Sequence, residues 1–445
     1  MKILVVGGGC REHIIAERLG AEDNTLFSVM KNRNPGINRL SKSVLISPET
    51  DTEKVSVFAR ETGAEFAVIG PEDPLEAGLS DVLEGAGIPC FGPERRAAEI
   101  ESSKSFARGL LEKYGIEGNP LYASFDDPAS ASAYIDGCKF DVVIKPSGLT
   151  GGKGVRVVGE QLKSNDEAKA YVQEIFRHGI GGGKKVVVEE RLKGEEFSLQ
   201  ALSDGKRLFP FPLAQDHKRA FEGDKGPNTG GMGSYSLADG LLPFVNESDR
   251  EQALHIMQRT IAAMRKEGRE FRGLLYGGFM LTTDGVRLIE YNARFADPES
   301  MNVLSVTKGD FTSALYSAAS GELKNGLSFE RVSTVCRYYV PHGYGDRPVK
   351  GSTLSIDEKK IAETGAMLYY GSVNSEDGKL TTTTSRSFAL LAKRADPWEA
   401  CAVIERAGQF VGGLVYTRKD IGTREEMERK MAAGIELHRK SGEAE

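Results

Sequence analysis

Apolar runs and polar breaks divide the chain into elements of two periods. Residues 2–6 (Lys-Ile-Leu-Val-Val) form a short apolar run that predicts a buried strand, and Gly7-Gly8-Gly9 then opens a helix over 12–19. A second strand over 26–30 precedes the turn Asn34-Pro35-Gly36. A strand over 66–69 runs into Gly70-Pro71-Glu72 and a helix with Leu75, Leu79, Val82 and Leu83 on one face; a short strand over 88–91 follows. Strands alternating with helices predict a doubly wound parallel sheet over 1–101.

A new pattern begins at Ser102-Ser103, a cap pair followed by Phe106, Leu110, Leu111 and Tyr114 at helical spacing. Strands over 142–145 and 155–158 flank a glycine-rich turn. A helix with Ala168, Tyr171, Val172 and Ile175 comes next, then glycines 181–183 and strands over 186–190 and 196–202. The β-α-β-β piece at about 128–193 is expected to be a small lid on a domain spanning 102–325. That domain also holds a polar glycine-rich loop, a helix over 248–267 and a hairpin turning at Asp284-Gly285. Residues 326–422 alternate short strands and turns, with a last helix near 396–407, and predict a small, mainly β C-terminal domain. Residues 423–445 are expected to be a charged tail, a solvated helix or frayed end. The fold class is therefore α/β and multidomain.

The length of 445 residues agrees, since a chain of this size divides into roughly two to four domains. A net charge of −6 argues against a nucleic-acid partner, which calls for a basic excess. Five scattered cysteines (Cys10, Cys90, Cys138, Cys336, Cys401) without a CxxC pair argue against a disulfide framework or structural zinc and point to the cytoplasm. The first apolar run is too short for a signal sequence or a membrane span.

Candidate chemistry lies in four places. The first turn, Gly7-Gly8-Gly9-Cys10-Arg11-Glu12, has Glu12 where a dinucleotide fingerprint needs its third glycine, and Met30-Lys31 offers no acid for a ribose diol. It is either a tight turn or a site for a small phosphate or sugar phosphate at a helix N-terminus. In Ile144-Lys145-Pro146-Ser147-Gly148-Leu149-Thr150-Gly151-Gly152-Lys153-Gly154-Val155, two lysines and freed backbone N–H groups suit phosphates; otherwise the stretch is a loose hairpin. Gly154 after the lysine excludes a Walker loop. The connector after Val187-Val188-Glu189-Glu190 suits an adenine against backbone groups; Glu196, seven residues past Glu189, is either a ribose acceptor or solvated charge. Strand alternation places Val286, Leu288, Glu290 and Asn292 on one face, and the last two are hard oxygen ligands for Mg²⁺ or a polar strand end.

These segments, in this order, resemble the ATP-grasp superfamily. Gln215-Asp216-His217-Lys218-Arg219 and Gly226-Pro227-Asn228-Thr229-Gly230-Gly231-Met232-Gly233-Ser234-Tyr235 narrow the resemblance to the phosphoribosylamine–glycine ligase family. Arg11-Glu12-His13, Asn34-Pro35-Gly36, Gly70-Pro71-Glu72, Phe91-Gly92-Pro93, Ser103-Lys104 and Arg418-Lys419-Asp420-Ile421-Gly422 extend it over residues 1–422. Other ATP-grasp ligases, such as a carboxylase of a related purine intermediate, lack the 215–219 and 230–233 signatures. A non-catalytic nucleotide-binding relative is expected to have lost the lysines or the Glu290–Asn292 pair. Two positions depart from the family, Cys10 replacing the last glycine of the first turn and Ala296 replacing a glycine; Gly277-Gly278 stand where many ATP-grasp enzymes add a metal ligand.

The resemblance implies an N-terminal domain, an ATP-grasp core with a mobile lid and a C-terminal domain. It implies ATP-dependent ligation of glycine to 5-phosphoribosylamine through glycyl phosphate. ATP would be held by Lys104, Lys145, Gly151, Gly152, Lys153, Glu189, Leu192 and Glu196, and Mg²⁺ or Mn²⁺ by Glu290 and Asn292. Gly9, Arg11, Glu12, Gly70, Pro71, Glu72, Lys218, Arg219 and Gly231 would serve the substrates, with Asp216 on the glycine ammonium. Arg294, Lys153 and Asp216 would be catalytic, Arg294 serving the phosphoryl group or the glycine carboxylate, and His217 a hydrogen-bonding loop residue rather than a base. A cytoplasmic monomer with no membrane or nucleic-acid partner is expected.

Overall fold

In the computed structural model, which describes residues 1–151, 154–324 and 326–442, the chain begins with five parallel strands. Their order is Ser41–Ile46, Thr25–Met30, Lys2–Val6, Phe66–Ile69, Cys90–Phe91. The central strand Lys2–Val6 is buried after its first residue, as a strand covered on both faces by helices must be. The helix after it, Cys10–Gly20, starts two residues earlier than its apolar pattern suggests. Gly9 serves as its cap, and the Glu12 carboxylate reaches back to the Gly9 N–H at 2.7 Å. The single helix expected after Gly70 is two, Glu72–Glu76 and Leu79–Gly85, broken by Gly78 at φ 83°. The break leaves Val82 exposed while Leu75, Leu79 and Leu83 stay buried.

Two antiparallel sheets follow. The smaller pairs Tyr122–Phe125, Val186–Glu190, Val142–Pro146 and Arg156–Val157, so it begins ahead of the expected 128. Its core is its own, with Ile135, Val142, Ile144, Tyr171, Val172, Ile175 and Val188 among the buried members. The larger sheet runs Leu208–Pro210, Glu195–Asp204, Arg272–Thr282, Gly285–Asn292. Its last strand carries a bulge: Gly278 pairs with Glu290 but Phe279 with Leu288, so Ile289 is the extra residue. The bulge turns the Ile289 carbonyl out of the ladder toward two cations described below.

The 215–219 and 226–235 segments do not stay within the larger sheet. Gln215–Asp216 pairs with Gly233–Ser236, which pairs with Ser333–Pro341 of the C-terminal sheet, so these signature residues form the seam between the two bodies. The 423–445 tail also departs from expectation. Residues Arg424–Gly442 form a helix with Met427, Glu426 and Lys430 buried against the body, because charged partners await it there. Among the described residues no helix is long and apolar enough to cross a membrane.

Candidate active site

A cleft of about 1100 Å³ opens where the two antiparallel sheets, the first turn and the C-terminal sheet meet. At one end stands the helix Lys104–Lys113, capped by the Ser103 hydroxyl on Phe106 N. Its Ala107, Leu110 and Leu111 face the core, which leaves Lys104 and Arg108, one turn apart, on the side that faces the cleft. Arg108 makes a two-pronged ion pair with Glu189 (2.8 and 2.9 Å), and Lys145 reaches the same carboxylate at 2.7 Å. Burial pushes the Glu189 carboxyl up, but the two cations outweigh it and hold it down to about 2. Arg108 also donates to the carbonyls of Leu288 and Ile289, and Lys145 to Ile289, the bulged residue. Burial lowers the pKa of Lys104 and of Lys145. The Lys104 ammonium is 3.1 Å from the Gly148 carbonyl.

Glu189 lies in the middle strand of its sheet, paired to Tyr122 on one side and Val143 on the other. Beyond it the chain leaves the strand, and Leu192 and Glu196 line the cleft. Lys218 bridges Glu196 (3.0 Å) and Glu290 (3.8 Å). Burial raises the Glu290 pKa, yet Lys218, Lys145 and Lys104 bring it below the ordinary carboxylate value. Asn292, two residues on, directs its amide nitrogen to Glu101 (3.1 Å) and its oxygen to Arg294 Nη1 (3.3 Å) in the orientation that satisfies both atoms. Among the described residues no group of three or more His, Cys, Asp or Glu side chains could hold a metal ion. Glu290 and Asn292 nonetheless offer a hard oxygen pair, completed in such sites by phosphate oxygens and water.

The next part of the cleft is acidic and closed. Asp216 is half-buried beside the buried Glu299, and desolvation followed by the Glu299 charge pushes the Asp216 carboxyl well up, against Lys218 and Arg386. Asp216 Oδ1 is buried with no hydrogen-bond partner among the described residues. Gly231 sits behind it at φ 104°, where a Cβ would stand 2.5 Å from that same oxygen. Arg386, from the C-terminal body, pairs with Asp297 at 2.8 Å and donates to the Gly230 carbonyl.

At the far end Arg294 is gripped by Glu72 (3.1 Å) and Glu101 (3.0 Å). The two carboxyls diverge: burial opposes ionisation of Glu72 but Arg294 and Arg11 win, whereas burial keeps Glu101 above the ordinary range. Arg11 pairs with Glu12 at 2.5 Å and donates to the Phe295 carbonyl. Cys10 occupies the first helical turn and gives its thiol hydrogen to the Tyr369 carbonyl at 3.0 Å. Ala296 is buried, its N–H on Gln200. Neither position has the positive φ that would demand glycine, which is why both departures are accommodated.

Of the expected site residues, Gly9, Arg11, Glu12, Pro71, Glu72, Lys104, Lys145, Gly151, Glu189, Leu192, Glu196, Asp216, Lys218, Arg219, Glu290, Asn292 and Arg294 line the one cleft. Gly70 and Gly231 are not among the lining residues, lying instead against the side chains of Glu12 and Asp216. Gly152 and Lys153 lie outside the described residues. Lys218, expected beside the sugar phosphate, is drawn to Glu196 and Glu290, and Arg219 pairs with Glu160 of the small sheet's body. Arg108, Glu101, Glu299 and Arg386 escaped the sequence. Arg108 left a signal, its spacing of four from Lys104; Glu101 and Glu299 stand close to the Ser103-Lys104 and Asn292–Arg294 segments but in no pattern of their own, and Arg386 is brought in by a segment remote from any motif.

Comparison with known proteins extends this picture. A family model described as phosphoribosylglycinamide synthetase, N domain, matches residues 1–101, and one described as phosphoribosylglycinamide synthetase, ATP-grasp (A) domain, matches residues 102–300. Phosphoribosylamine–glycine ligase of Methanothermobacter thermautotrophicus is 51% identical over 431 residues, 97% of this chain and 98% of its own length. That of Pyrococcus furiosus is 46% identical over 431 residues, covering 97% and 96%. The crystal structure of phosphoribosylamine–glycine ligase from Thermotoga maritima matches with a TM-score of 0.80 at 26% identity, covering 95% of this chain and 100% of that one. Biotin carboxylase from Campylobacter jejuni, with a TM-score of 0.71 at 15% identity over 96% of this chain and 95% of its own, shares the fold alone.

Proposed function

The chain belongs to the phosphoribosylamine–glycine ligase family, and from that premise we propose how its cleft carries out the ATP-dependent ligation of glycine in purine biosynthesis. A carboxylate is a poor electrophile, so it must first be activated. A glycine carboxylate oxygen attacks the γ-phosphorus of ATP, the bond to ADP breaks, and glycyl phosphate forms. The amine of 5-phosphoribosylamine then attacks the carbonyl carbon; the bond to phosphate breaks, the amine gives up a proton, and glycinamide ribonucleotide results. What the protein adds is position, fixed charge and exclusion of water from the acyl phosphate.

ATP lies along the cleft from the 189–196 connector to Glu290. Backbone groups at Glu189 and Leu192 hold adenine, and Glu196 takes the ribose. The Glu189 side chain has another task, since Arg108 and Lys145 already claim it. Lys104, Lys145 and Gly151 serve the phosphates, a role the family resemblance also gives to Gly152 and Lys153, and Lys218 joins from between Glu196 and Glu290. Use of a divalent metal follows from the family; Glu290 and Asn292 would hold it, as Mg²⁺ or Mn²⁺, where it neutralises phosphate charge. Arg294, clamped by Glu72 and Glu101, is a fixed cation for the glycine carboxylate and the transferring phosphoryl group. The sugar phosphate occupies the end formed by Gly9, Arg11, Pro71 and Glu72, with Arg386 opposite. All five cysteines are free thiols, which supports a cytoplasmic setting.

One observation carries the amino-acid site: Asp216 Oδ1, a buried acceptor without a partner among the described residues, next to Glu299 and opposite the metal pair. Two neighbouring carboxyls call for a cation, and the ammonium of glycine is one. Phosphate release measured over a panel of amino acids, with 5-phosphoribosylamine generated in place, should single out glycine. In Asp216→Asn the KM for glycine should rise roughly ten- to a hundredfold, the loss of one charge-assisted hydrogen bond. ATP affinity, measured by calorimetry without glycine, should hold within about twofold, a change of under half a kcal/mol. Collapse of ATP binding with an unchanged glycine KM would instead assign Asp216 to the nucleotide or metal.

A further inference from the structure

The last described element is the helix Arg424–Gly442, and that helix does not float. Gly434 lets it come so close that a Cβ there would stand 2.6 Å from Phe244 Cα. Glu426 and Lys430, one turn apart on the same face, are both buried. The Glu426 carboxylate takes a short hydrogen bond with His217 Nε2 and accepts from Gly422 N at 2.7 Å. Lys430 pairs with Glu195, and both line the cleft. Arg429 reaches Asp224, which also holds Arg418 at 3.0 Å. Burying this much charge is costly unless every member is paired, so the docking geometry is specified rather than incidental.

What the helix grips is the 215–219 segment. Its backbone is already paired: Gln215 and Asp216 lie on Tyr235 and Ser234, His217 N–H donates to the Gly233 carbonyl at 2.9 Å and its carbonyl accepts from Met232 N at 2.8 Å, so what the helix adds is a hold on the His217 side chain. In extended chain, successive side chains point to opposite faces. Asp216 and Lys218 therefore share the face toward Glu299 and Glu290, and His217 turns the other way, to Glu426. We propose that the C-terminal helix is a positioning element for amino-acid binding, in which Glu426 anchors His217 and thereby sets Asp216 and Lys218 toward the cleft. Glu426 touches no reactant in this arrangement; it acts through His217. The inference rests on Asp216 as the partner of the glycine ammonium.

The test uses the full chain and three variants: Glu426→Ala, Glu426→Gln and Asp216→Asn. Initial rates of phosphate release are measured with glycine varied at saturating ATP, ATP affinity by calorimetry without glycine, and folding by thermal unfolding. Glu426→Ala should raise the glycine KM by about tenfold, as expected for a small misplacement of a charged contact. Glu426→Gln keeps the volume and an acceptor for an imidazole N–H; it should raise that KM by about threefold, less than the charged bond it replaces is worth, and it serves alone if the alanine variant does not fold. ATP affinity should stay within about twofold, or about 0.4 kcal/mol, in both. If both folded variants keep the wild-type glycine KM while Asp216→Asn raises it, the helix is a structural appendage and the inference fails. It fails equally if glycine and ATP weaken together, since that is general damage. If Asp216→Asn itself leaves the glycine KM unchanged, the fault lies with the assignment of Asp216.

Discussion

Gly7, at φ 122°, and Gly70 both lie against the side chain of Glu12; a Cβ at Gly7 would stand 2.6 Å from Glu12 Cγ. With no side chains of their own, these glycines make room for a carboxylate that closes the first turn through Gly9 N and holds Arg11. Gly231 has the same relation to Asp216, so each of these turns serves the placement of one acid. The proposed metal pair admits a direct test at this scale. Glu290 faces Lys218 and lies at the cleft rather than in a packed core, so Glu290→Ala should fold and keep its melting temperature within a few degrees while losing at least a hundredfold in ligation rate, about 2.7 kcal/mol of barrier. Activity within threefold of wild type at saturating Mg²⁺ would remove Glu290 from the metal site.

The element that holds the Glu189 end of the cleft together is the inner strand Val186–Glu190 of the small sheet, tied to the helix Lys104–Lys113 by the Arg108–Glu189 pair. Folding brings the Glu189 carboxyl from its ordinary 4.5 down to about 2. A depressed carboxyl pKa means stability that is present above pH 4.5 and lost as pH falls toward 2. Urea unfolding from pH 7 to pH 2 should show that loss. Glu189→Gln should cost about 3 kcal/mol at pH 7, because it leaves two buried cations unneutralised, and should flatten the slope below pH 4.5. A variant with the wild-type slope would mean that other carboxyls carry the acid sensitivity. None of this was legible locally. The strand was plain from Val186–Glu190 and the helix from its Ser103 cap, but that Glu189 spends its side chain on Arg108 depends on how the helix lies across the sheet.

The molecule as a whole has two hydrophobic cores of unequal size. The larger is continuous from the N-terminal sheet through the 195–292 sheet to the C-terminal strands, whereas the smaller belongs to the 122–190 sheet and its helices alone. A smaller core buries less apolar surface, so this body should open at lower free energy than the rest. Native-state hydrogen exchange in rising denaturant should release the amides of Val142–Pro146 and Val186–Glu190 before those of Lys2–Val6. Loss of protection in all three strands at one concentration would make the chain a single cooperative unit. The cleft lies where the two cores meet, with Lys104, Arg219 and Glu160 reaching across, which suits a site whose cover can move.

The sequence by itself determined most of the elements, the parallel first sheet, the family and most of the expected residues that line the cleft. Periodicity is local, and the glycine turns and the 215–219 and 226–235 signatures place their residue types within a few positions of one another. Only the tertiary structure decided which charges neutralise which. Arg386 comes to Asp297 from a distant loop, and Glu101 comes to Arg294 from the helix Arg95–Ser102. The terminal helix comes to His217 across more than two hundred residues (|i−j| = 209). A charged residue in a sequence looks solvated wherever it stands. Whether it is buried, and against what, is settled by packing between segments that no local pattern connects, and in this protein those pairings shape the ends of the cleft where glycine and the sugar phosphate are proposed to bind.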